Sequence, residues 1–74
     1  MENELKTIHS LTNDIWQWIK SSIDMSGTDK EWEIVLEQGQ AIANKPEYKS
    51  IKEMATGWVL AYVNYLEEKV NGKG

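Results

Sequence analysis

The chain has no cysteine, no arginine and no phenylalanine, and only one proline and one histidine among its 74 residues. Without cysteine there is no disulfide to staple a small domain and no thiolate to hold a metal. His9 stands alone, with no second imidazole or carboxylate cluster at ligand spacing, so it reads as a surface residue and no metal or other cofactor is expected. Arginine is the usual bidentate reader of guanine and phosphate. A chain that lacks it and carries a formal net charge of −4, from 8 lysines against 12 acids, is a poor binder of duplex nucleic acid. A membrane span is also missing. The longest uncharged stretch, Met54–Leu66, has 13 residues and includes Thr56, Gly57 and Asn64, whereas a bilayer needs about 20 apolar residues. The start, "MENELKTIHS", is acidic and polar, unlike a signal peptide. A cytoplasmic location is the expectation.

What is present describes a single globular domain over residues 1–74. Apolar residues make up 41% and charged residues 27%, too apolar a balance for disorder. Four tryptophans and three tyrosines supply the bulk. Small domains without staples depend on well-packed helices or on a second copy of themselves.

The pattern predicts an all-α, three-helix bundle with helices over about 3–24, 29–44 and 46 or 50–70. In the first, Ile8, Ile15 and Ile19 share the centre of one face, with Leu11, Thr12, Ser22 and Ile23 beside them and Trp16 and Trp18 on opposite borders. Gly27 suits the left-handed residue that follows a helix end. Thr28 and Glu31 form a T-x-x-E capping box that opens the second helix. There Trp32, Val35, Leu36, Gly39, Ile42 and Ala43 share a face. Lys45 precedes Pro46, which ends that helix and suits the first turn of the next. Ser50 with Glu53 offers a later start. The short connections imply antiparallel neighbours.

The third helix carries two stripes. Ile51, Met54, Ala55, Trp58, Ala61, Tyr62 and Tyr65 form one. Val59, Val63, Leu66 and Val70 form the other, about 100° away. Two destinations for the second stripe are open: a helix of the same chain, or another molecule, so the bundle could oligomerise through its third helix. Gly39 lies within the buried face of the second helix, where a glycine costs about 1 kcal/mol against alanine. Close approach of the second and third helices there would explain it.

No catalytic arrangement is evident. The serines sit at caps or on polar faces, without an adjacent base. Glu33 and Glu37 lie four apart beside Lys30, a solvated acidic face rather than a buried carboxylate pair. No phosphate loop, dinucleotide fingerprint or EF-hand pattern occurs. The protein is not expected to be an enzyme. Charge is nonetheless uneven: residues 28–44 set Lys30 against Asp29, Glu31, Glu33 and Glu37, a net −3. Ile34 and Leu60 project from the polar sides of their helices, and with the border tryptophans they hint at a contact surface.

Two segments carry a resemblance. "EWEIVLEQGQAIANK" (31–45) is similar to the tryptophan-led amphipathic helix of small uncharacterised helical proteins of phages and prophages of Gram-positive bacteria. "WVLAYVNYLEE" (58–68) resembles their closing helix. The likeness covers about half the chain, leaves out residues 1–27 and brings no catalytic residues. It implies a phage or mobile-element origin and a host or phage protein as partner.

The expected function is therefore that of a small acidic protein-interaction module that binds and modulates, or inhibits, a host protein. Trp16, Trp18, Glu33, Ile34, Glu37 and Leu60 are its candidate contact residues. An alternative is a module that sequesters a nucleotide or other small anion in an oligomer, using Lys45, Tyr48, Lys49 and Lys52. A third is a structural subunit that assembles through Val59, Val63, Leu66 and Val70.

Overall fold

A computed structural model describes residues 2–71 and contains three α-helices, α1 (Glu2–Ser22), α2 (Asp29–Ala43) and α3 (Lys52–Asn71), with a 3₁₀ helix (Pro46–Ile51) leading into α3. The expected three-helix, all-α bundle is the fold. Its boundaries follow from local chemistry. The hydroxyl of Thr28 accepts the Glu31 amide at 3.2 Å, while the Glu31 carboxylate accepts the amides of Thr28 and Gly27 at 3.0 and 2.9 Å. The backbone amide of Thr28 is the first of these to draw the Glu31 pKa below its ordinary value. Gly27 takes φ +98°, the left-handed region where a side chain is strained. Pro46 opens the 3₁₀ helix, so the third segment starts at 46 but becomes α-helical only at Lys52, with no cap from Ser50.

The core is one cluster drawn from all three helices and the 3₁₀ helix. On α1 the buried line is Leu11, Ile15, Trp18 and Ser22. The helix is thus turned from the expected Ile8–Ile15–Ile19 centre, and Ile8 and Ile19 pack at the core's edge. Polar contacts explain the turn. The Trp18 indole N–H donates to the Val35 carbonyl at 3.2 Å, and its ring meets Tyr62 edge-on at 4.8 Å. Ser22 gives its proton to the Trp18 carbonyl at 2.8 Å, so the Tyr62 hydroxyl, 2.7 Å away, donates to Ser22. Burial raises the Tyr62 pKa, keeping that donor protonated.

At Gly39 side chains of α1 and α3 press directly onto α2. A Cβ placed on it would lie 2.7 and 2.9 Å from ring atoms of Trp18 and 3.0 Å from a methyl of Val59. The expected approach of α2 and α3 is present, with the α1 tryptophan wedged into it as well. Gly57, by contrast, faces open space.

On α3 the buried line, with Ile51 of the 3₁₀ helix, is Ile51, Ala55, Val59, Tyr62 and Leu66, which runs between the two expected stripes. The second stripe is turned inward. Val59 and Leu66 are buried, and Val63 and Val70 pack against the core. The stripe therefore presents no continuous exposed face for assembly: Val59 and Leu66 meet their own chain, and Val63 and Val70 are partly covered by it. The first stripe is split instead, with Met54 and Tyr65 about half exposed and Trp58 at the edge.

Candidate functional site

The candidate contact residues divide among four places. Trp18, at 3% exposure, is a core residue and is withdrawn as a surface contact. Trp16 is 53% exposed on the outer side of α1, where the Lys20 ammonium lies 5.7 Å from its ring centre. Ile34 lines a trough between α1 and α2. Glu33 and Leu60 flank the groove between α2 and α3, and Glu37 extends the Glu33 edge by one turn.

The α1–α2 trough has polar rims over an apolar floor that includes Trp18, Ala41 and Ile42. At one end its walls are Asp14, Gln17, Ser21, Gln38 and Lys45. Towards the other they become Met25, Ile34 and Val35, with Asp24 and Glu31 beside them. The polar end is occupied by its own contacts. Lys45 donates to Asp14 at 2.8 Å, and Tyr48 donates to the same carboxylate oxygen at 2.5 Å. Ser10 in turn donates to the Tyr48 oxygen at 3.0 Å. Burial would raise the Asp14 pKa, but the two hydrogen bonds and the lysine charge outweigh it and hold the carboxyl below its usual value. The bond to Asp14 raises the Lys45 pKa, and burial leads the rise at Tyr48.

That network also corrects the anion-site expectation. Tyr48 is fully buried, so its ring is not free to stack on a base. Lys45 is committed to Asp14, and Lys52 donates to the Asn44 side chain at 2.5 Å. Lys49 remains exposed. Among the described residues, no group of three or more histidines or carboxylates is placed to hold a metal ion. No described helix is long and apolar enough to cross a membrane.

The α2–α3 groove differs in its border rather than in its floor, which is apolar in both places. Trp32, Leu36 and Val63 line its floor, with Glu67 and Asn71 on the α3 wall, around a space of about 280 Å³. Trp32 and Leu36 also line an adjoining depression with Asp29, Lys30 and Glu33. Leu60, 56% exposed, stands one turn before Val63 and two before Glu67 on the same side of α3. Leu36 is 44% exposed. The groove is thus an apolar strip bordered by Asp29, Glu33 and Glu67, with Lys30 the one cation lining it among the described residues. Trp32 and Leu36 were legible as members of the α2 apolar face. Their partial exposure was not, because it depends on how far α3 stands from α2.

Comparison with protein-family models, with curated proteins and with solved structures finds no match. The functional reading therefore rests on the geometry of the chain itself.

Proposed function

We propose that this chain is a protein-interaction module whose α2–α3 groove receives the apolar side of a basic amphipathic helix from another protein and modulates that protein by covering it. The observation that supports this reading is the juxtaposition of Trp32, Leu36, Leu60 and Val63 with the carboxylates of Asp29, Glu33 and Glu67. An apolar strip takes the anchor side chains of a helix. The acidic border raises the encounter rate with a lysine- or arginine-rich partner and disfavours acidic ones. The phage resemblance fits a host protein as that partner.

The test uses the tryptophan fluorescence of the intact chain, to which Trp32 contributes with Trp16, Trp18 and Trp58, titrated with a lysine–leucine amphipathic peptide and with its glutamate–leucine counterpart. The basic peptide should bind, weaken as salt rises, and lose at least tenfold in affinity to a Leu36→Glu variant. Equal binding of both peptides, or unchanged binding by Leu36→Glu, would sink the proposal. Affinity capture from a host lysate with wild type and Leu36→Glu side by side then identifies the partner as the protein retained only by wild type.

A further inference from the structure

A second apolar surface lies on the opposite side of α3. Met54, Trp58 and Tyr65 follow one another on the flank turned towards α1. Tyr65 stacks on Tyr62 at 6.4 Å, and Tyr62 in turn contacts Trp18 and Ser22 of α1. On α1, Asp14 and Ser21 occupy the flank facing α2. Ile19 and Ile23 occupy the other flank, with Trp16 at its outer edge. The two flanks border the α1–α3 seam. Trp16, Met54 and Tyr65 are 53%, 45% and 54% exposed, and Ile19, Ile23 and Trp58 are half-buried.

We propose that this α1–α3 face is where two copies of the chain pair about a two-fold axis. Three features favour a second copy as the occupant. The first is charge. An acidic chain meets its own net −4 in any self-contact, and pairing through the α2–α3 groove would set Asp29, Glu33 and Glu67 against themselves. The six residues of the α1–α3 face are uncharged. Its border is mixed in sign, with Lys20 at Trp16, Glu68 one turn from Tyr65, and Lys69 held by the Ile23 carbonyl at 3.1 Å.

The second feature is area. Aromatic side chains present about 150–250 Å² each. Half of that on Trp16 and Tyr65, with Met54 and the exposed edges of the other three, gives roughly 400 Å² of apolar surface per copy. A patch of that size falls within the roughly 300–600 Å² of a monomer's largest patch, which is often functional, and with a polar border of similar extent it reaches the ~800 Å² per partner of a stable dimer. The third is shape. Two neighbouring helices form an elongated face, and a two-fold mate adds two more. The result is a four-helix layer in which each copy covers the other's aromatics.

Sedimentation velocity over the micromolar to hundred-micromolar range tests this with the intact chain. Wild type should approach a mass of about 17 kDa, twice its 8.5 kDa. Trp16→Glu and Tyr65→Glu should each raise the dimer dissociation constant at least tenfold. Leu36→Glu, on the other groove, should leave it unchanged. A wild type that stays monomeric throughout overturns the proposal, as does a dimer that survives both glutamates or is lost in Leu36→Glu. Should a glutamate variant lose its helical circular dichroism, Met54→Glu and acrylamide quenching of wild type decide. Met54→Glu should weaken the dimer, and dilution should raise quenching as Trp16 is uncovered. A dimer indifferent to Met54→Glu, or quenching unchanged by dilution, overturns it. Binding of the basic peptide, read in the same variants, should persist, so the two surfaces are tested separately.

Discussion

Substituting Gly39 and Gly57 by alanine should move stability in opposite directions, although both are interior helix glycines. The backbone gain is the same for each, about 1 kcal/mol in favour of alanine. At Gly57 nothing lies within 4 Å of the new methyl, so most of that gain should appear, about 0.5–1 kcal/mol. At Gly39 the methyl would lie 2.7 and 2.9 Å from Trp18 ring carbons and 3.0 Å from Val59. Trp18 cannot easily retreat, because its indole is hydrogen-bonded to Val35 and its ring is set edge-on against Tyr62. Forcing extra volume into a packed core costs about 1–3 kcal/mol after relaxation. Close contacts on two sides put this case at the upper end, for a net loss of about 1–2 kcal/mol. A domain of this length shifts its Tm by roughly 6 °C per kcal/mol. Gly39→Ala should therefore melt about 6–12 °C below wild type, and Gly57→Ala about 3–6 °C above it. Circular dichroism at 222 nm, with heat and with urea, reads both. A Gly39→Ala variant as stabilised as Gly57→Ala would falsify the close approach of Trp18 and Val59 to α2.

Gly27→Ala should lose more than either, by about 2 kcal/mol or more. It would put a side chain at φ +98° and drive its methyl into Val70; urea unfolding measures the loss, and a midpoint equal to wild type would contradict it. Acid should weaken the fold through Asp14. Its pKa is lowered in the folded state, so its contribution is present above the unfolded value near 4 and fades as pH falls through the folded one. Asp14→Asn should flatten that acid limb and, with the partly exposed Lys45 partner, cost about 1 kcal/mol at neutral pH. An identical acid limb in wild type and variant would argue against the network. Leu66→Ala, at a site with no exposure, should cost about 2–5 kcal/mol, more than Trp58→Ala at the core's edge. The reverse order in urea midpoints would displace Leu66 from the centre.

The elements were legible where the signal is local. The Thr28–Glu31 box, Gly27 and the Lys45–Pro46 step each act within a few residues, and each marks its boundary as expected. Gly39 was legible because a helix glycine on an apolar face needs a close neighbour. What failed was the rotation of α1 and α3 about their own axes. A helical wheel counts Ser22 as polar and Trp18 as a border residue, yet Ser22 is buried by its bonds to Trp18 and Tyr62, and Trp18 by Val35 and the space over Gly39. Those partners lie between 17 and 40 residues away, except for the Ser22–Trp18 bond within α1. The same distance effect hid the fate of Tyr48, whose hydroxyl finds Asp14 34 residues earlier. Errors in rotation then passed into the candidate site. Glu33 and Leu60 stay at a groove, while Trp18 and, of the second α3 stripe, Val59 and Leu66 belong to the interior.

The last turn of α3 closes the junction between the first two helices: Val70 packs on Gly27, and the Lys69 ammonium takes the Ile23 carbonyl. During synthesis the α1–α2 hairpin is therefore made long before the residues that seal it. Until residue 70 has left the ribosome, Gly27 has no valine above it and the Ile23 carbonyl has no lysine. Sealing of the α1–α2 junction therefore waits for α3 to be made in full, rather than being completed with the hairpin itself.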